Sequence, residues 1–134
     1  MDKKEEKKSD AEEQAEAQVS SIVEMVEALQ KAEEEGDDTK REEAETAIHE
    51  DPLSVEVRSG WTSPGAKMEA EEFCILLCTG GPAVRIVGDL SEHGEPTRAR
   101  VQHQDWGTPW IEIFPSSDDR EKILTYCQQF YFGE

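Results

Sequence analysis

The sequence predicts an α+β fold in which acidic helices precede a small antiparallel sheet of four or five strands covered by a C-terminal helix. Three observations predict it. Apolar residues recur every three or four positions before Gly36, alternate every second position from Leu53, and return to helical spacing near the C-terminus. All six prolines lie at or after Pro52, and all three tryptophans at or after Trp61. The second half therefore holds nearly all the turn signals and aromatic side chains.

The N-terminal part predicts one long helix. Residues 1–8 are charged, contain no apolar residue after Met1, and are expected to be disordered. Ser9 or Asp10 can cap a helix that continues to about Glu35, where Gly36 provides a stop.

The apolar residues of this helix have heptad spacing, at Ala15, Val19, Ile22, Val26 and Leu29. Such a seam predicts self-association, as a homodimer or higher oligomer through residues 15–32. Flanking apolar residues widen the seam into a stripe, and a wide stripe is also typical of a helix packed on a globular body.

A second helix is predicted from about Thr39 to Glu50. Thr39 and Glu42 fit a capping box, and Pro52 follows the helix as a stop. These features divide the chain into a disordered segment (1–8), an acidic helical region (9–51) and a compact α+β domain (52–134).

The compact domain begins with period-two patterning. Leu53, Val55 and Val57 alternate with polar residues, which predicts a half-buried strand. Residues 72–79 form a continuous apolar run typical of a central strand, and a glycine-glycine-proline turn joins them to a strand at 83–87.

Two further strands and a last helix complete the domain. Residues 97–105 alternate again, and residues 106–114 contain the start of a short strand. Ser117 or Asp118 is expected to cap the final helix, whose apolar face would be formed by Ile123, Leu124, Cys127, Phe130 and Tyr131.

Charge limits the function. The chain has 32 acidic and 14 basic residues, a net charge of −18. Residues 1–51 contribute 19 acidic and 7 basic residues, or −12. Such a chain repels phosphate backbones and anionic membranes, which argues against direct nucleic-acid or membrane binding. The N-terminus lacks the apolar core of a signal peptide, and the expected compartment is the cytoplasm.

Three stretches carry a resemblance: EFCILLCTGGPAVRIVGDL, GEPTRARVQHQDWGTPW and LTYCQQFYFGE. Together they resemble a group of small acidic proteins of tailed bacteriophages and prophages. The similarity covers roughly residues 41–134 and leaves out the first helix. It implies a phage gene acting in the host bacterial cytoplasm, and it brings no catalytic residues.

The cysteines and histidines give no firm catalytic or metal site. Cys74 and Cys78 would lie about 13 Å apart in a strand, too far for one metal or a disulfide. A zinc site would need them in a loop together with Cys127 and a histidine. A Cys–His or His103–Asp105 pair is the enzymatic alternative, against buried thiols and surface histidines. We predict no catalytic residue, metal or cofactor.

Arginine and tryptophan side chains are candidates for contacts. Arg98 and Arg100 share a strand face and can bind an anion, although pairing with the protein's own carboxylates is the preferred interpretation. Trp61, Trp106 and Trp110 lie in glycine- or proline-bearing segments. The preferred interpretation is that they plug the ends of the sheet, and the alternative is an exposed aromatic patch for a protein partner.

The acidic residues of the two predicted helices have two interpretations. They either form an ordinary solvent-exposed helix face, or they imitate the phosphates of a nucleic acid. The first helix, about 40 Å long, carries about one carboxylate per 4.5 Å, against about one phosphate per 1.7 Å in duplex DNA. One helix alone is therefore a poor mimic, and mimicry predicts a dimer or a surface that adds the second helix. The predicted partner-binding residues are Glu12, Glu13, Glu16, Glu24, Glu27, Glu33, Glu34, Glu35, Asp37, Asp38, Glu42 and Glu43, with Trp61, Trp106 and Trp110.

The leading functional hypothesis is a non-enzymatic, phage-encoded inhibitor of a host nucleic-acid-handling or defence protein, of the anti-CRISPR or anti-restriction type. The expected partner is a host protein with a basic groove. The first alternative is an oligomeric scaffold protein whose acidity only confers solubility. The second is a small enzyme with a Cys or His site.

Overall fold

Three helices and five strands form the part of the chain described by a computed structural model, residues 9–132. In chain order they are α1 (Asp10–Glu35), α2 (Asp38–His49), β1 (Ser54–Ser59), β2 (Ala70–Cys78), β3 (Ala83–Leu90), β4 (Pro96–Gln104), β5 (Ile111–Ile113) and α3 (Ser117–Cys127). The strands form one antiparallel sheet in the order β1-β2-β3-β4-β5. The predicted α+β class is confirmed. The expected disorder of residues 1–8 lies outside the described residues.

Local capping sets the ends of the first two helices. The Ser9 hydroxyl accepts a hydrogen bond from the Glu12 N–H at 3.0 Å, and Gly36 ends α1 in the left-handed conformation at φ 67°. Asp37 then caps α2 by accepting from the Lys40 N–H at 3.1 Å. The predicted Thr39 capping box is therefore wrong, because Asp37 caps the helix two residues earlier.

The apolar stripe of α1 is buried inside a single chain. Helix α1 contacts α2 and α3 on its sides and strands β3 and β4 beneath it. The predicted oligomerisation seam is therefore wrong. Its five residues are at most 6% exposed, because they pack inside their own chain and are not available to a second copy. They are Ala15, Val19, Ile22, Val26 and Leu29.

One hydrophobic core joins helices and sheet. Val26 of α1 and Ile48 of α2 belong to the same buried cluster as Ile75 and Ile86 of the sheet and Ile123 of α3. The predicted boundary at residue 52 therefore separates regions of different charge, but the residues on its two sides pack as one unit.

The helices cover one face of the sheet. Along β2, Phe73, Ile75 and Leu77 are buried beneath them, whereas Cys74 and Leu76 alternate onto the opposite side. Within residues 9–132 no helix packs on that opposite side. We call it the open sheet face. The register shifts between Leu76 and Cys78, and Cys78 pairs with the buried Val84 and packs against the core.

The edge strand β1 is more exposed than its alternation predicts. Val55 is 38% and Val57 45% exposed, and the preceding Leu53 is 60% exposed. The predicted half-buried strand is wrong in this respect, since α1 packs on β3 and β4 and the helical layer leaves β1 largely open.

The C-terminal segment leaves the helix earlier than predicted. The cap of α3 is Ser116, and the helix ends at Cys127, so Phe130 and Tyr131 do not extend a helical face. Tyr131 is 84% exposed, whereas Phe132 is buried with its ring 5.0 Å from that of Phe73.

Tyr126 is a buried residue of α3 that the predicted apolar face of this helix did not include. Its side chain is fully buried, and its hydroxyl donates to the Asp51 carboxylate at 2.6 Å. This bond ties α3 to the segment that links α2 with β1.

Substitution of Gly88 in β3 would test how closely the sheet is packed at this position. A Cβ at this position would lie 1.9 Å from the Arg98 carbonyl oxygen and 2.7 Å from the Phe73 ring, whereas one at Gly81 would meet nothing within 4 Å. We expect Gly88→Ala to lower the free energy of unfolding by about 1–3 kcal/mol. Gly81→Ala should change it far less. Urea unfolding of both variants checks this, and equal values would contradict the described packing.

Burial also predicts alkaline destabilisation. It raises the pKa of Tyr126 and of Cys127 above their ordinary values of 10.0 and 9.0, and the hydrogen bond to Asp51 adds to the shift at Tyr126. As the pH rises, the unfolded chain therefore loses these protons before the folded chain does. The contribution of the two groups to the free energy of unfolding is fully present below pH 9.0 and decreases above it. The free energy of unfolding from urea titrations should decline across this range. Tyr126→Phe should make the decline above pH 10.0 smaller, and an unchanged decline would contradict the assignment.

Candidate partner-binding surfaces

The first candidate surface consists of the exposed carboxylates of α1 and α2. Because α1 buries its stripe against the sheet and α2 folds back on α1 after Gly36, both helices belong to one outer layer. We call the following set the acidic helix surface: Asp10, Glu13, Glu16, Glu24, Glu27, Glu33, Glu34, Glu35, Asp38, Glu42 and Glu43.

Among residues 9–132, ion pairs are described for only a minority of these carboxylates. Arg41 lies 3.8 Å from Asp38 and 3.2 Å from Glu45, and Lys122 of α3 lies 3.9 Å from Glu27. Seven other members make no ion pair among residues 9–132, namely Glu13, Glu24, Glu33, Glu34, Glu35, Glu42 and Glu43.

Two predicted members lie elsewhere. Asp37 is half-buried because its carboxylate caps α2. Glu12 is also half-buried, and together with the exposed Glu16 it lines a cavity of about 550 Å³ between the start of α1 and the β5 region.

The charge density supports a combined surface of two helices. Eleven carboxylates along a helix of 26 residues, or about 39 Å, amount to about one per 3.5 Å. This is roughly half the density of phosphates along duplex DNA. Adding the carboxylates of α2 therefore brings the charge density closer to that of duplex DNA than α1 alone does.

The second candidate surface is the open sheet face. Strand register places its side chains in three rows that cross the sheet, and a cavity of about 350 Å³ lies over the middle row. The rows are Leu76–Arg85–Gln102–Glu112, Glu56–Cys74–Val87–Arg100 and Arg58–Glu72–Asp89–Arg98.

The four arginines of this face have different partners. Arg58 pairs with Glu72, and Arg98 lies 4.0 Å from Asp89, which confirms an intramolecular pair for Arg98. Arg100, for which the same was predicted, makes no ion pair within residues 9–132.

Arg85 was not singled out from the sequence. Its Nε donates to Gln102 at 2.8 Å, and its guanidinium lies 4.0 Å from the centre of the Trp110 ring. The only signal in the sequence is an arginine within the apolar run of β3.

The tryptophans do not all plug the sheet. Trp61 and Trp106 are 104% and 85% exposed, so the preferred interpretation is wrong for both. Trp110 is half-buried beside Arg85 on the open sheet face. The three rings therefore do not form one cluster inside the protein.

The structure does not bring the cysteines and histidines together. Cys74 lies on the open sheet face, Cys78 packs at the edge of the core opposite Val84, and Cys127 lies within the core, all as free thiols. Burial raises the pKa of Cys74, opposed chiefly by nearby Arg85, and burial raises the pKa of Cys127. Within residues 9–132, no group of three His, Cys, Asp or Glu side chains is placed to hold a metal ion.

The histidines occupy three separate environments. His49 contacts the Gln129 carbonyl oxygen at 2.7 Å, and His93 lies in an exposed turn. His103 is buried on the covered face, and its Nδ1 has no hydrogen-bond partner in the described part of the chain. The predicted alternative pairing of His103 with Asp105 is not formed: the backbone of Asp105 bonds Thr108 instead.

Comparison with known proteins adds no relative. No family model, no curated protein and no solved structure matches the chain. Among the helices of residues 9–132, none combines the length and apolarity needed to cross a membrane.

The thiol environments predict slow alkylation. Thiolate is the reactive form, so raised pKa values at Cys74 and Cys127 should make both react with iodoacetamide more slowly than in the urea-unfolded chain at neutral pH. Cys127 should be the slower, since it is fully buried. Peptide mass spectrometry over time measures each site. Rates at either site equal to those of the unfolded chain would contradict the described burial.

Proposed function

We propose that this chain is a non-enzymatic, phage-encoded protein that occupies the basic groove of a host nucleic-acid-handling or defence protein. In this proposal the acidic helix surface replaces the phosphates of the nucleic acid that the groove normally holds. The protein would act in the host cytoplasm as an inhibitor of the anti-CRISPR or anti-restriction type.

One observation carries this proposal: seven exposed carboxylates of α1 and α2 have no cationic partner within residues 9–132. Carboxylates left unpaired on a surface are free to attract a basic partner, and a folded core holds these in place. The resemblance to phage proteins supports the setting, because a phage benefits from blocking host enzymes that handle nucleic acids.

The predicted seam of α1 no longer supports the scaffold alternative. Its predicted seam runs from Ala15 to Leu29, and those side chains are buried against the chain's own sheet. Deleting α1 is for the same reason no test of partner binding, since the deletion would remove part of the core.

A charge-neutralising variant tests the proposal. Glu13→Gln, Glu24→Gln, Glu34→Gln and Glu43→Gln together remove four charges from the acidic helix surface without touching a described ion pair. At about 0.5 kcal/mol per exposed charge, we expect affinity for the captured partner to fall by about 2 kcal/mol, or roughly thirtyfold. The readout is capture from host lysate, identification by mass spectrometry, and titration of the purified partner.

The matched control carries the same charge change elsewhere: Glu69→Gln, Glu71→Gln, Glu92→Gln and Glu95→Gln, all exposed and outside the helices. It should retain binding. The affinity of the captured partner for the wild-type chain should fall steeply with added salt. Duplex DNA should displace the wild-type chain from the partner. Equal losses in the two variants, or a captured protein indifferent to duplex DNA, would reject the proposal.

A further inference from the structure

Apolar side chains are exposed along and beside β1. Leu53, Val55 and Val57 are 60%, 38% and 45% exposed, and Trp61 and Met68, in the connection to β2, are 104% and 73% exposed. These five are the majority of the nine large hydrophobic side chains exposed in the described part of the chain. Exposed apolar side chains concentrated in one part of a chain are typical of an interface.

The outer edge of β1 also has free backbone groups. β1 is the first strand of the sheet, so its second edge has no neighbouring strand among residues 9–132. The opposite edge, β5, has only three residues and lies between Pro109 and Pro115. A three-residue edge with a proline on both sides is protected from pairing, whereas β1 is six residues long and has a nearby proline, Pro52, on one side only.

The sequence of β1 is self-complementary in one antiparallel register. Pairing Val57 with Val57 of a second copy places Glu56 opposite Arg58 twice. Glu56 makes no ion pair within residues 9–132, and the Arg58 side chain is 79% exposed although it contacts Glu72. Opposite charges facing each other across strands stabilise a pair.

Other registers are less favourable. Centring the pair on Glu56 places the two Glu56 carboxylates directly opposite each other, which is destabilising. Centring it on Val55 leaves only Ser54, Val55 and Glu56 of the strand paired with strand residues, whereas the Val57 register pairs Val55 to Ser59.

We propose that β1 pairs antiparallel with β1 of a second copy of this chain about Val57, joining two sheets into one of ten strands. The two-fold axis of such a pair is perpendicular to the sheet, so both helical layers lie on the same side. The proposal does not depend on the identity of any partner of the acidic helix surface.

Molar mass measured by light scattering tests self-association. The wild-type chain should have twice its mass of 15.1 kDa at high concentration, and added salt should strengthen the dimer by screening repulsion between two chains of −18. Val57→Lys should shift the protein to monomer. The matched control, Ile111→Lys on the β5 edge, has similar exposure at 48% and should remain a dimer.

Circular dichroism of both lysine variants checks that they are folded, and a folded spectrum is expected for each. A wild-type chain that is monomeric at every concentration overturns the proposal, as does a dimer that survives Val57→Lys.

Cysteine substitutions test the register. In the proposed pairing the two Val57 Cα atoms lie about 4.5–5.5 Å apart, within the range of a disulfide, whereas the two Val55 Cα atoms lie about 14 Å apart. Val57→Cys should therefore form a disulfide-linked dimer on oxidation, beyond any background from the native cysteines, and Val55→Cys should not. The reverse result would overturn the Val57 register.

A charge exchange tests the same register without cross-linking. Glu56→Lys places a lysine opposite Arg58 of the second copy, and Arg58→Glu places a glutamate opposite Glu56. Because like charges then face each other, each variant alone should dimerise more weakly than wild type. An equimolar mixture restores both opposite pairs, and a heterodimer should form at lower concentration than either homodimer. A mixture no more associated than its components would contradict the Glu56–Arg58 pairing.

Discussion

Burial of the α1 stripe against β3 and β4 is the interaction on which the rest of the structure depends. Val19, Ile22, Val26 and Leu29 are each at most 6% exposed. At about 1.5–3 kcal/mol per buried side chain they contribute about 6–12 kcal/mol, which is comparable with the whole net stability of a small domain. Helix α1 therefore cannot detach as an arm. Its carboxylates are held on the outside because its apolar side is fixed on the inside.

Periodicity in the sequence identified much of the fold but not what covers each face. The spacing from Ala15 to Leu29 showed which side of α1 is buried, and heptad spacing is common to a coiled coil and to a helix on a sheet. Alternation likewise placed β1 correctly. It could not show that the helical layer stops short of Val55 and Val57, because that depends on where α1 crosses the sheet.

The two candidate surfaces differed in how far they could be predicted. Acidic residues on the outer sides of α1 and α2 follow from composition and helical spacing alone. The stacking of Arg85 on Trp110 requires the pairing of β3 with β4 and the path of the chain after β4, which are long-range features. Competition between nearby caps explains the smaller error at α2, where Asp37 precedes Thr39 as an acceptor.

The four arginines of the open sheet face are balanced by four carboxylates of the same face, whereas the helical layer on the other side of the sheet carries mainly carboxylates. Beyond its net charge, the protein therefore has an electric dipole directed across the sheet. Near a positively charged object such a dipole experiences a torque that turns the helices forward before contact is made. Fewer encounters then begin in an unproductive orientation, so the rate of association depends on how the charges are arranged as well as on how many there are.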